Sequence, residues 1–382
     1  MVLLQISIGL FSFQINPMNF KLSFPTFLIA IIIIFSSCTK SPESSVQSTT
    51  TFGNLENSLN QKLAQFNAPA ISVAIIKNEK LVYLKAFGFS DNETKTAATV
   101  TDIYRVASIS KPITLAAILK LVQDGTISLD QKVFGVNGIL GNDFGTPPVG
   151  SNKDLITIKH LLDHKSGWTN TPTDLMFTNI SKTKSQLISE LISTRALTTV
   201  PGTSESYLNI GYHILGRVIE KVTNQSYENY VKTAILAPSG IVDMKIAGNT
   251  LADRYPNEVK YYQTEFSPYS MNINRMDAGG GWVATAKDLA KFIVRVDQNS
   301  VKQDLISTTL MNQFYFGYAN WYFYGSLPGT SAIVNRLNST TSFVVITNTR
   351  TESNYNTILD DLNNTMIKEI NSISNWPTLD LF

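Results

Sequence analysis

The chain has 382 residues, 43% of them hydrophobic and 16% charged, enough for one large core or two joined ones and unlike a disordered chain. Lys plus Arg (31) exceeds Asp plus Glu (29) by only two. No basic stripe or acidic run gathers the charge, so no nucleic-acid partner is expected, and no internal period marks a repeat architecture.

Residues 1–37 read as a targeting segment. Lys21 precedes an apolar run from Phe24 to Phe35, short for a bilayer span and of the right length for a signal-peptide core. Ser36 and Ser37 follow, then Cys38, the only cysteine of the chain. The pattern resembles a bacterial lipoprotein signal, in which the chain is cut before the cysteine and the thiol is lipidated. The plainer reading, a secretory signal that happens to end in cysteine, leaves a lone exposed thiol on an exported protein. Residues 1–17 carry no basic side chain, so Met18 is an alternative start. The expected location is the bacterial cell envelope, with a lipid anchor on the periplasmic or outer surface. Residues 38–52, rich in Ser, Thr, Pro and Gln, then form a flexible tether, and residues 53–375 form the folded domain.

The domain opens with a short amphipathic helix, Leu55 to Phe66. Strands follow at Ile71 to Ile76 and Leu81 to Phe89, a hairpin around Lys77-Asn78-Glu79-Lys80. Next comes Tyr104-Arg105-Val106-Ala107-Ser108-Ile109-Ser110-Lys111-Pro112, at the start of a helix that is apolar almost all round up to Asp124-Gly125. Ser108 and Lys111, three apart, share one helix face. A hydroxyl beside an amine is a candidate nucleophile with its base. A helix this apolar is expected to be buried, which disfavours the ammonium form of Lys111, and its start favours negative charge at Ser108. Pro112 is tolerated in the first turn. The bare Ser-x-x-Lys pattern is cheap: it recurs at Ser37 to Lys40 and at Ser181 to Lys184, where no apolar helix opens.

The middle of the chain has few strand signals. Ile158 to Trp168 reads as a short helix with a glycine stop at Gly167. It carries His160 and His164, four apart, for which packing or capping is expected rather than metal binding. Pro201 to Tyr212 is a turn and loop leading into a helix with Ile214, Leu215, Val218, Ile219 and Val222 on one face. Ala278-Gly279-Gly280-Gly281 lacks a phosphate-binding signature and reads as a tight bend before a helix capped by Thr285 and Asp288. Trp321 to Ser326, Ser331 to Arg336 and Ser342 to Thr347 form an antiparallel meander, and a closing helix carries Ile358, Leu362, Met366, Ile367 and Ile370. The expected fold is α/β of the α+β kind: one antiparallel sheet built from N- and C-terminal strands, flanked by helices, with a mostly helical region inserted.

Taken in order, Ser108-x-x-Lys111, Tyr207-x-Asn209 and the strand Phe323-Tyr324-Gly325-Ser326-Leu327-Pro328-Gly329 resemble the serine β-lactamase and penicillin-binding protein superfamily. The likeness is nearest to its class C β-lactamase, D-aminopeptidase, D-Ala-D-Ala carboxypeptidase and esterase branch. Pro201-Gly202, the His164-x-Ser166-Gly167 block and Gly280-Gly281 with Thr285 add to it. Tyr-x-Asn alone is weak, since it recurs at Tyr227, Tyr255 and Tyr318. The resemblance implies a β-lactamase/DD-peptidase-like fold over residues 55 to 370. It makes Ser108 the nucleophile, Lys111 and Tyr207 the proton-transfer groups, and Asn209 a partner of Lys111 and of the substrate amide. The backbone N–H groups of Ser108 and Ser326 would form the oxyanion hole, and no cofactor or metal is implied.

One position departs from the family. Its third motif reads Lys-Thr-Gly or His-Thr-Gly, whereas Phe323, Tyr324 and Gly325 occupy the matching substrate-binding positions. The Lys-Ser-Gly at Lys165 to Gly167 belongs to the His164 block and is a decoy. With the cation missing, acyl chemistry is still expected, while penicillin and D-Ala-D-Ala recognition loses its usual anchor; Arg350 is a candidate to supply the charge, and a solvated strand end is the plainer account of it. The leading expectation is an exported serine hydrolase acting through an acyl-enzyme on an ester, amide or D-amino-acid peptide. The alternative is a β-lactamase-fold binding or regulatory lipoprotein with weakened catalysis. A Ser-His-Asp lipase is disfavoured, because no Gly-x-Ser-x-Gly surrounds Ser108.

Overall fold

The computed structural model describes residues 51–350 and 355–382; Cys38 and the predicted signal segment lie outside the described residues. Helix α1 (Gly53–Gln65) precedes strands β1 (Ala70–Lys77) and β2 (Lys80–Asp91). These pair antiparallel from Ala70↔Gly88 to Lys77↔Lys80. The expected hairpin turn is Asn78 and Glu79, both left-handed (φ 49° and 64°), the two-residue connection whose twist matches that of the strands. The short strands β3 (Thr96–Ala97) and β4 (Tyr104–Arg105) lead to α2 (Ser110–Gln123), in which every residue from Ser110 to Leu119 is buried, as its lack of a polar face demands.

The inserted region carries α3 (Ile158–Leu162), α4 (Lys184–Thr194), α5 (Asn209–Thr223) and α6 (Tyr227–Val231), then β5 (Lys245–Ile246), α7 (Ile273–Gly280), β6 (Trp282–Ala284), α8 (Ala286–Ile293) and α9 (Thr308–Met311). His164 lies beyond the end of α3, with a left-handed backbone (φ 57°), rather than in one helical stretch with His160. Ala278, Gly279 and Gly280 are the last turn of α7, not the expected tight bend; the break falls earlier, at Asp277 (φ 4°, ψ −87°). The glycines serve close packing instead, since a Cβ on Gly279 would stand 3.2 Å from the Asn209 carbonyl oxygen. As expected, α8 is capped by Thr285 and Asp288, each bonding the other's backbone N–H.

Strands β7 (Trp321–Leu327), β8 (Thr330–Asn338) and β9 (Thr341–Thr347) precede the closing helix α10 (Tyr355–Asn371). The main sheet runs β3-β2-β1-β9-β8-β7, so the two ends of the domain meet where β1 pairs with β9. One face packs Ile71, Val73, Ile75, Phe343 and Val345 against Leu55, Leu59, Ile358, Leu362 and Met366 of α1 and α10. From the other face Ala74, Ile76, Val344 and Ile346 join the core of the helical region. Burial on both faces explains why β1 and β9 read as nearly unbroken apolar runs. Beyond α10 the tail returns along the sheet, where Leu381 N–H donates to the Leu81 carbonyl (2.9 Å) and Leu81 N–H to Asp380 Oδ1 (3.1 Å). Packed chain therefore continues past the expected domain end at residue 375. A small sheet, β4-β6-β5, ties the strand before Ser108 to the one that follows Gly281.

Candidate active site

Ser108 sits in a 3-10 turn, Ala107–Ile109, immediately before α2, and Ala107 is left-handed there (φ 51°). The turn is held from two sides. Val106 N–H donates to the Trp282 carbonyl (3.0 Å), and β7, the edge strand of the sheet, passes against it at Gly325. A Cβ on Gly325 would stand 2.2 Å from the Val106 carbonyl oxygen, so only glycine allows this approach. The third-motif glycine is thus a steric requirement of the turn that presents Ser108.

Lys111, one helical turn on, is fully buried. Its Nζ has three neighbours: the Gly279 carbonyl oxygen at 2.8 Å, Asn209 Oδ1 at 2.8 Å and Ser108 Oγ at 3.1 Å. Ser108 Oγ is also 2.7 Å from Tyr207 Oη. The structure therefore brings Ser108, Lys111, Tyr207 and Asn209 into one hydrogen-bonded group. Asn209 is the first residue of α5, and its Nδ2 donates to Asp174 Oδ2 (2.6 Å). That bond fixes the amide so that its oxygen faces Lys111.

Tyr207 is held from behind. Its ring lies 4.6 Å from the His164 imidazole, and its carbonyl accepts from Asn170 Nδ2 (2.9 Å). Leu208 N–H donates to His164 Nδ1 (3.1 Å), which places the ring proton on Nε2. Burial, and then the charge of Lys111, pushes the His164 imidazole down to about 3, so it packs as a neutral ring. His160 completes a capping box with Thr157 at the start of α3. Both histidines have the packing and capping roles expected of them.

A cavity of about 350 Å³ opens over Ser108, Tyr207 and Asn209. Met176, Phe177, Met276 and Leu327 make its apolar wall, and Tyr324, Ser326 and Arg350 complete it toward α10. Of the third-motif residues, Tyr324 faces this cavity and donates its hydroxyl to Asp360 Oδ1 (3.0 Å). Phe323 turns to the opposite face of β7 and packs against Tyr315, ring centroids 4.4 Å apart; Gly325 is buried against the serine turn. An aromatic pair thus lies where the family pattern has a cation.

Sequence reasoning missed Asp174, Met176 and Phe177. Their only signal is an apolar trio, Leu175-Met176-Phe177, inside the polar stretch from Thr169 to Lys184. It also missed the Gly279 carbonyl, because a backbone acceptor leaves no mark on residue type.

A serine within reach of a buried lysine and a tyrosine, beside the edge strand of an antiparallel sheet with helices on both faces, makes this a candidate serine hydrolase site. The chain belongs to the beta-lactamase family, whose model matches residues 56–354. Protein flp of Staphylococcus aureus (strain COL) is 31% identical over 195 residues, 48% of this chain but only 36% of that protein, so the match spans little more than a third of the relative's length. The octameric penicillin-binding protein homologue from Pyrococcus abyssi superposes with a TM-score of 0.64 at 25% identity, over 78% of this chain and 73% of that one. The D-amino acid amidase from Ochrobactrum anthropi SV3 is alike in fold, with a TM-score of 0.69 at 19% identity over 85% of this chain and 98% of its own.

Proposed function

We propose that this protein is an acyl-transfer hydrolase that forms an acyl-enzyme on Ser108. The observation that carries the reading is the set of neighbours around Lys111 Nζ. A neutral amine has two N–H bonds and one lone pair, and the Gly279 carbonyl and Asn209 Oδ1 are pure acceptors that take both N–H bonds. The lone pair then faces Ser108 Oγ. In the first step Lys111 takes the hydroxyl proton as Oγ bonds to the substrate carbonyl carbon. Charge on the resulting oxyanion is met by the backbone N–H groups of Ser108 and Ser326, two residues that line the cavity. Tyr207, on the other side of Oγ, gives its own hydroxyl proton to the departing alcohol or amine as that group's bond to the carbonyl carbon breaks, and the proton held by Lys111 then restores the Tyr207 hydroxyl. Water then attacks the ester on Ser108, and the same groups run in reverse to release the acid.

The apolar wall of Met176, Phe177, Met276 and Leu327 supports small esters or amides with an apolar acyl group as substrates. A fluorophosphonate probe should label the protein, and Ser108→Ala should abolish labelling; equal labelling of the variant removes Ser108 from the mechanism. Small activated esters should be cleaved faster than cephalosporins, and rapid cephalosporin turnover would overturn that preference. A binding or regulatory role is the reading left if neither labelling nor turnover occurs. We also propose that the domain is displayed on the cell envelope through a lipid on Cys38, on the strength of the Phe24–Phe35 run and the lone cysteine. Palmitate labelling in the native host, lost in Cys38→Ala, is the expected result, and label retained by the variant would refute it.

A further inference from the structure

A second polar cluster lies in the helical region, away from the cavity. Asp277 is 1% exposed, and its carboxylate receives Arg217 Nη2 (2.7 Å) from α5 and Lys184 Nζ (2.5 Å) from α4. His213 Nδ1 stands at 3.4 Å, and the N–H of Ala278 donates to Asp277 Oδ1 at 2.6 Å. Burial alone would raise this carboxyl, but Arg217, His213 and Lys184 hold it well below the usual range, so it is a permanent anion. His213 is pushed below its ordinary value by burial, against the pull of Asp277.

Asp277 is also where α7 breaks, and the two carbonyls that follow the break both turn toward α2. The Ala278 carbonyl accepts from Thr114 Oγ1 (2.7 Å) and the Gly279 carbonyl from Lys111 Nζ (2.8 Å). Lys111 and Thr114 lie three apart on α2, so the bent turn docks along one face of the helix that carries the proposed base.

We propose that Asp277 is a positioning residue: by clamping the bent turn of α7 to α4 and α5, it aims the Gly279 carbonyl at Lys111 and so orients the amine toward Ser108. The inference rests on the acyl-enzyme reading above. Two consequences follow. Misplacing the carbonyl removes an acceptor that orients the amine, which slows the proton step while the cavity wall that binds substrate stays intact. It also removes a partner that favours the ammonium ion, so the base loses its proton more readily and the acidic limb of activity moves to lower pH. The titratable groups that face Lys111 are Ser108, Tyr207, Tyr212 and His164, and those that face Asp277 are Arg217, Lys184 and His213; Asp277→Asn leaves all of them in place.

The test is the pH dependence of kcat and KM for a small activated ester, measured on the full chain of wild type, Asp277→Asn and Lys184→Met. Asp277→Asn should lower kcat by about ten- to a hundredfold, the scale of a small misplacement of a catalytic group. KM should hardly change, and the acidic limb should move down. Lys184 is partly exposed, so its exchange keeps the fold and loosens one arm of the clamp; kcat should fall about threefold at unchanged KM. Wild-type kcat in Lys184→Met, or wild-type kcat with an unmoved limb in folded Asp277→Asn, would overturn the proposal while the acyl-enzyme reading stands. A wild-type protein that does not turn over any ester would take both down.

Discussion

Ser108-x-x-Lys111 and Ser181-x-x-Lys184 have the same spacing and the same residue types, and the fold gives them opposite fates. Lys111 is fully buried at the start of an apolar helix, among uncharged acceptors, with its serine at 3.1 Å. Lys184 is partly exposed, ends in an ion pair with Asp277 at 2.5 Å, and Ser181 lies on the surface. The first amine is directed at a hydroxyl and two neutral acceptors, the second at a buried carboxylate. Chemistry at a lysine is therefore decided by what surrounds Nζ.

That contrast can be broken most sharply at the nucleophile. Ser108→Ala should abolish ester hydrolysis, and residual turnover at the wild-type rate in a direct assay would show that the two motifs do not differ as described. Lys111→Met should cost about 10²–10⁴ in kcat/KM, the usual range for removing a positioned acid–base group, against about threefold for the same exchange at Lys184. Equal losses at the two sites would erase the distinction. Tyr207→Phe removes only the hydroxyl that reaches Ser108 Oγ and should cost about 10²-fold in kcat, with the probe still attaching slowly to Ser108.

Asp174→Ala acts one bond further out, through the Asn209 amide. It should lower kcat by about tenfold, the size of a lost charge-assisted hydrogen bond; an unchanged kcat would show that Asn209 keeps its orientation unaided. The smallest effect is on stability. His164 is held neutral at about 3 in the fold, against 6.5 in the open chain. Its contribution is fully present above that open-chain value and is lost as pH falls toward the folded one. The melting temperature should therefore drop between pH 7 and 4.5, and drop less in His164→Gln, whose amide oxygen can still accept the Leu208 N–H. Parallel curves for the two proteins would exclude His164 as a source of the pH dependence.

The parts of this molecule that could be read in the sequence are those where one local cause dominates. β1, β9 and the meander β7–β9 carry apolar runs bounded by turn residues, and the Asn78-Glu79 turn and the Thr285–Asp288 cap are local hydrogen-bonding devices. The Ser108, Lys111, Tyr207, Asn209 set was legible as motifs, and the structure brings it together. What escaped depends on contacts distant in sequence. Asp174 meets Asn209 across 35 residues; Gly279 reaches Lys111 across 168 through a carbonyl. The helical turn at Ala278 to Gly280 defeats the local reading of glycine as a bend, because there glycine supplies closeness to Asn209 rather than a turn. Likewise Phe323 was legible as a missing cation, but that it turns away from the cavity onto Tyr315 was not.

The most direct test of the central claim is to trap the acyl group during turnover of a slowly hydrolysed activated ester and map it by peptide mass spectrometry. The account predicts one acyl group on the peptide that contains Ser108, absent from Ser108→Ala and strongly reduced in Lys111→Met. Acyl transfer to any other residue, or turnover with no covalent species in wild type and variants alike, would contradict it.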